Sequence, residues 1–115
     1  QWTKQLGTTS NDMGTSVAID SSDNIYLTGY TEGGLDGNTN SGGKDIFLVK
    51  YNSSGVKQWT KQLINSAKYG QYSITIDSSN SIFITGETTG KLDGNNSFGG
   101  QDIFLLKFNL DGERK

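Results

Sequence analysis

Cysteine, histidine and proline are all absent from the 115 residues. Without cysteine there are no disulfides and no thiolate metal sites. Without histidine the commonest general base and transition-metal ligand is missing, and no serine or threonine has an imidazole to activate it. No apolar run approaches the roughly 18 residues of a membrane-spanning helix, and nothing at the N-terminus resembles a signal peptide, so a soluble chain is expected. Charge of one sign is lacking too: 10 Lys and Arg stand against 12 Asp and Glu, with no basic run. This argues against nucleic acid, whose binding needs clustered positive charge. Glycine is what the chain has in excess: 16 residues, about twice the roughly 7% average usage.

The organising feature is an internal repeat. Residues 1–57 and 58–114 align without a gap, and 29 of the 57 positions are identical. QWTKQL opens both copies, at 1–6 and 58–63. Self-similarity at a fixed period means one supersecondary unit that cannot bury its faces alone. The chain therefore reads as one segment, 1–115, made of two copies of one unit.

Four β-like runs recur in each unit. SVAID (16–20) and SITID (73–77) alternate; NIYLTGYT (24–31) and SIFITGETT (81–89) are rich in β-branched and aromatic residues. DIFLVKYN (45–52) and DIFLLKFN (102–109) are apolar on both faces, as in strands covered on both sides. QWTKQL is the fourth. Tight turns join strands one and two (DSSDN, 20–24; DSSNS, 77–81) and three and four (NSSG, 52–55; NLDG, 109–112), where Asp, Asn and Gly tolerate positive φ or bond their own backbone. The other connections are long: 7–15, 31–44, 64–72 and 88–101. In a meander alternate connections emerge on opposite edges, so the long loops share one side. The fold class is all-β, a β-propeller of four-stranded antiparallel blades, two per chain; a β-sandwich would not need near-identical units. The expected core is Ile25, Leu27, Ile46, Phe47 and Leu48, with Ile82, Ile84, Ile103, Phe104 and Leu105 in the second copy. Residues 7–15 share nothing with 64–72, so those two loops are expected to be interchangeable.

The succession VAIDSSDNIYLTGYT … GGKDIFLVKYNSSGVKQW, with its second copy ITIDSSNSIFITGETT … GGQDIFLLKFNLDGERK, resembles the SBBP repeat, the seven-bladed β-propeller repeat of bacterial surface and secreted proteins. The resemblance spans the chain. It implies an extracellular or cell-surface bacterial protein and a ring of many blades, whereas two are present here. In propellers the outermost strand of one blade is often supplied from the other end of the chain, and QWTKQL looks like such a detached fourth strand.

No constellation points to an enzyme. Asp20 and Asp77 sit in hairpin turns and Asp45 and Asp102 at strand starts, where equivalent copies argue for a structural duty. LDGNTNSGGKD (35–45) and LDGNNSFGGQD (92–102) alternate oxygen donors in a glycine-bent loop: Asp36, Asn38, Asn40 and Asp45, then Asp93, Asn95, Ser97 and Asp102. Calcium would suit such donors, but two carboxylates per loop are few, and an Asx-rich loop folding on itself is the plainer reading. No cofactor is otherwise indicated. Trp2 and Trp59 are either sugar-stacking platforms or packing residues against a neighbouring blade. Lys50 and Lys107 read as solvated charges at blade edges. NSS at Asn52 and NNS at Asn95 match glycosylation sequons.

The expected function is a non-catalytic interaction or scaffold module with the long-loop side as its contact surface for a protein or glycan; the alternative is a lectin-like propeller, calcium-dependent or not. Two blades leave the strand at 102–109 as an open edge. Head-to-tail exchange is the expected solution: Gln1, Trp2, Thr3, Lys4, Gln5 and Leu6 of one molecule lie beside Asp102, Ile103, Phe104, Leu105, Leu106 and Lys107 of the next. Such a homo-oligomer closes as a ring of three or four chains or runs on as a filament.

Overall fold

The computed structural model describes residues 1–40, 43–67, 71–89 and 99–114, and for 64–67 the backbone alone. Blade 1 is a four-stranded antiparallel sheet: β1 (Asp12–Ile19), β2 (Ile25–Thr31), β3 (Lys44–Tyr51) and β4 (Lys57–Ala67), paired in that order. Blade 2 repeats the first three strands as β5 (Ser73–Ile76), β6 (Ile82–Thr88) and β7 (Asp102–Phe108). The turns are those the sequence marks: Asp23 and Asn80, one repeat apart, hold the left-handed φ of 63° and 61° that closes each first hairpin. Two connections are shorter than the sequence suggests. β1 begins at Asp12 and β4 runs to Ala67, so parts of 7–15 and 64–72 are strand rather than loop.

The two sheets stack face to face. A strand's side chains alternate between faces, so each blade has a leading face, turned towards the blade before it, and a trailing face, turned towards the blade after it. The trailing face of blade 1 (Tyr26, Ile46, Leu48) meets the leading face of blade 2 (Ile74, Ile82, Ile84, Phe104, Leu106, Phe108) in one core cluster. Blade 1's own leading face forms a second, smaller cluster of Leu35, Phe47, Val49 and Tyr51, with Ile25, Leu27 and Leu6 packed on it.

This layering corrects the expected core at two positions. Ile103 and Leu105 are 89% and 69% exposed, while Ile46 and Leu48 one repeat earlier are wholly buried. β3 has sheet packed on its trailing face and is buried continuously from Asp45 to Val49, whereas in β7 buried and open residues alternate. Their sequences are nearly identical; only the neighbour differs. Ile25 and Leu27 are partly buried, because blade 1's leading face has only a partial cover.

Candidate functional site

The best-defined surface in the molecule is the one between the blades, where the two sheets pack face to face. Where it is made, backbone and side chain cross from one blade to the other. Thr15 Oγ1 donates to Tyr72 O at 2.6 Å, Ile74 N donates to Ser16 Oγ at 3.3 Å, and Lys50 Nζ donates to Leu110 O at 3.2 Å. Lys50 also lies over the Tyr26 ring at 5.4 Å. It is thus a joint between blades rather than the solvated edge charge expected of it. Its counterpart Lys107 is exposed, over the Phe83 ring at 5.7 Å.

The outer strand takes part in the same joint. Trp59 and Lys61 of β4 reach across to the β7 hairpin: a Cβ at Gly112 would lie 3.0 Å from both Trp59 Cη2 and Lys61 Cε. Gly112 has φ +79°, so glycine there serves both the turn and the indole seated on it. The same joint recurs 57 residues earlier. A Cβ at Gly55, φ +81°, would lie 2.8 Å from Trp2 Cδ2 and 3.1 Å from Lys4 Cε. Leu6 packs on the cluster of Phe47 and Val49 as Leu63 packs on that of Phe104 and Leu106.

Residues 1–6 therefore sit on blade 1 as β4 sits on blade 2. They form no strand in this chain. Between them and the leading face lies a pocket of ≈ 370 Å³ lined by Trp2, Leu6, Met13, Val17, Leu27 and Phe47 among others. Val17, at 56% exposure, is the counterpart of Ile74, which at 7% is packed between the two blades. At the other end, Phe108 and Arg114 form a single β-bridge, the counterpart of Tyr51 with Lys57 at the start of the β3–β4 ladder. Among the described residues the blade 2 ladder goes no further.

The acidic residues are occupied by their own fold. Asp20 is buried and accepts hydrogen bonds from Ser22 N, Asn24 N, Asn24 Nδ2 and, at 2.8 Å, Tyr26 Oη. Burial acts to raise its pKa, but these donors outweigh it and hold the carboxyl below its ordinary value of 3.8. The phenol of Tyr26 is pushed well above its ordinary range by burial and by that carboxylate. Asp77 caps the matching turn through Ser79 N and Ser81 N, with Phe83 in place of the tyrosine. Asn52 Oδ1 caps the 52–56 turn in the same way, accepting from Ser54 N and Val56 N.

The first candidate calcium loop does not gather its oxygens. Asp36 turns to β4, accepting from Lys57 Nζ at 2.8 Å and from Thr60 Oγ1; burial acts to raise its pKa, but those two donors and the lysine's charge lower it. Asn38 and Asn40 present their amide nitrogens to Leu35 O, Thr31 O and Gly43 O. Asp45 lies buried under Gln62, which donates to it at 3.0 Å. Of the second loop, Asp93, Asn95 and Ser97 lie outside the described residues. Each indole lies against a glycine of a turn, Trp59 on Gly112 and Trp2 on Gly55, and Trp2 remains 45% exposed.

One residue of consequence carried no signal in the sequence. Asp12, absent from the repeat pattern, accepts from Thr8 N at 2.6 Å, from Thr8 Oγ1 and from Thr31 Oγ1, tying the segment before β1 to the end of β2. Its pKa is raised by burial but lowered further by these bonds, ending below 3.8. This bears on the expected interchange of 7–15 with 64–72, since a graft would put Tyr69 where Asp12 stands. A single side chain bridging two strands has no periodicity for a sequence to reveal.

Among the described residues no helix is long and apolar enough to cross a membrane. Comparison with known proteins agrees with the blade geometry. The chain is 30% identical over 125 aligned residues to an uncharacterized WD repeat-containing protein of Acanthamoeba polyphaga mimivirus. That alignment takes in 94% of this chain but only 9% of the relative, so the chain spans a small part of its length. The family model of the SBBP β-propeller repeat matches residues 1–36 and again 58–93, in step with the internal sequence repeat. With two matches in tandem, each running from a QWTKQL segment into the first two strands of the sheet that follows, the chain belongs to the β-propeller repeat family.

Proposed function

We propose that this is a non-catalytic β-propeller repeat module, an interaction or scaffold protein that assembles through strand exchange between chains. Its long-loop side serves as the contact surface for a protein partner. The observation that supports assembly is the contrast between equivalent residues: Ile46 and Leu48 are covered by a neighbouring blade, and Ile103 and Leu105 are open. Exposed apolar patches of this kind mark interaction surfaces. The carboxylates placed by the fold are engaged in caps and turn bonds, which supports the non-catalytic reading. On the family resemblance, its place is outside the cell or on a bacterial surface.

Mass measurement in solution tests the assembly. Multiples of 12.5 kDa are expected at micromolar concentration. A stable 12.5 kDa monomer would remove assembly from this reading.

A further inference from the structure

We propose that Asp111–Gly112 is a modification site, where the aspartate closes onto the glycine nitrogen and reopens as isoaspartate, loosening the joint between the blades. The sequence holds three Asp-Gly pairs, at 36–37, 93–94 and 111–112. Glycine has no Cβ, so the nitrogen that follows the aspartate is open to its carboxyl. In the step, Gly112 N gives up its proton and bonds Cγ of the protonated Asp111. One carboxyl oxygen leaves as water, and a five-membered imide remains. Water then opens the ring at either carbonyl. Opening at the main-chain carbonyl leaves the backbone running through Cβ and Cγ as isoaspartate; opening at the other restores aspartate. Nothing is oxidised or reduced, and water is the only co-reactant.

Asp93 and Gly94 lie outside the described residues, and the structure separates the other two pairs. Asp36 is held out of the reaction by Lys57 Nζ, which donates to one of its oxygens at 2.8 Å, and by Thr60 Oγ1, which donates to the other. Burial acts to raise its pKa, but these donors outweigh it and keep the carboxyl ionised, whereas ring closure needs the protonated acid. Asp111 is exposed, and among the described residues no ion pair or side-chain hydrogen bond holds its carboxylate. What must yield there is one backbone bond, from Gly112 N to Asn109 O at 3.1 Å. Breaking a neutral bond of this kind slows the step about five-fold, while freeing the part-exposed charged pair at Asp36 slows it about 50-fold. The exposure of Asp111 belongs to its turn position. Its counterpart Ser54 is exposed as well, although β4 follows it and Trp2 and Lys4 lie on Gly55 beside it.

Isoaspartate adds one methylene to the backbone of a turn that Asn109 fixes. Asn109 Oδ1 accepts from Asp111 N and Glu113 N, and its main chain bonds Gly112 and Glu113. This turn is also blade 2's half of the joint: Trp59 and Lys61 lie on Gly112, and Lys50 donates to Leu110 O. Lengthening it moves both seats at once. Blade 1's turn, with Ser54 before its glycine, has no carboxyl to undergo the change.

For the test, the intact chain is held at neutral pH and physiological temperature beside a free peptide of residues 108–114, until half the peptide has isomerised. Electron-transfer fragmentation of the digested chain distinguishes isoaspartate from aspartate at each position. Isoaspartate is expected at 111 at a rate about five-fold below the peptide's and about ten-fold above that at 36. The isomerised chain, separated by chromatography, should melt about 4 °C below the parent, as the loss of one joint hydrogen bond brings in a domain of this size. Asp111→Ser, which carries blade 1's residue, should keep its melting temperature through the same incubation. No isoaspartate at 111, or as much at 36, would overturn the site. An isomerised chain that melts like the parent, or an Asp111→Ser chain that declines as the parent does, would overturn the loosened joint.

Discussion

Ile46 and Ile103 occupy the same position of the same motif one repeat apart, yet the first is wholly buried and the second 89% exposed. The two strands pair with their inner neighbours in the same way, Ile46 opposite Tyr30 and Ile103 opposite Glu87. The difference lies in what surrounds the trailing face: Ile46 has blade 2 stacked on it and Leu63 of β4 opposite, whereas β7 is the edge of its sheet among the described residues. Ile46→Ala should therefore cost about 2–5 kcal/mol of unfolding free energy, the range for a truncated core aliphatic. Ile103→Ala, measured by urea unfolding at a concentration where the chain is monomeric, should stay within about 0.5 kcal/mol. Equal costs would mean that Ile103 is covered within the single chain.

The seat of the outer-strand tryptophan can be tested at the glycine beneath it. Gly112→Ala meets two penalties: a left-handed φ of +79° and the Trp59 ring at 3.0 Å. Gly37, with φ +83° and nothing within 4 Å, meets the first alone. Gly37→Ala should cost about 1–2 kcal/mol, and Gly112→Ala about 1–3 kcal/mol more, as an overpacked contact does. Matching losses would show that the indole yields freely and the blades are not keyed there.

Asp12→Ala should destabilise by about 1–3 kcal/mol, the cost of leaving Thr8 and Thr31 without their charged acceptor. Grafting 64–72 onto 7–15 removes the same carboxylate and should cost at least as much. Thermal melts of both variants would check this. A graft as stable as the parent would mean that the Asp12 bonds contribute nothing net.

Acid should weaken the fold through the three carboxyls held below their ordinary value, Asp12, Asp20 and Asp36. A carboxyl with a depressed folded pKa contributes stability that is fully present above its unfolded value and is lost as pH falls through the folded one. The melting temperature should thus be level from pH 7 to about 5 and fall below about pH 4. Asp20→Asn should make that fall shallower while lowering stability at neutral pH. At the alkaline end Tyr26 acts with the opposite sense: its raised pKa keeps it neutral when folded, so stability is lost as pH rises beyond about 10. Tyr26→Phe, which places in blade 1 the aromatic that blade 2 already has, should flatten the alkaline loss.

Much of the fold was legible because it is periodic or local. Alternation in SVAID and SITID, the β-branched second strands and the Asx-Gly turns act within a few residues, and the repeat doubles every signal. Asp20, Asp77 and Asn52 cap turns as their spacing suggests, because an Asx side chain bonding two and four residues on is a local interaction. The candidate site was legible in part. QWTKQL recurs at 58–63, where it lies in β4, while at 1–6 it forms no strand in this chain.

Tertiary structure decided the rest, since burial is a property of neighbours and not of a segment. DIFLVK and DIFLLK have the same pattern, and only stacking makes one a covered strand and the other an open face. Lys50 bonds the next blade's turn because that turn is present, while Lys107 is exposed. The sequence by itself determined the repeating unit and its antiparallel meander, through patterning that acts along the chain. Only the folded molecule determined that residues 1–6 rest on blade 1 and that Asp12 ties two strands together. Those contacts join residues with no shared period, brought within reach only when the sheets pack.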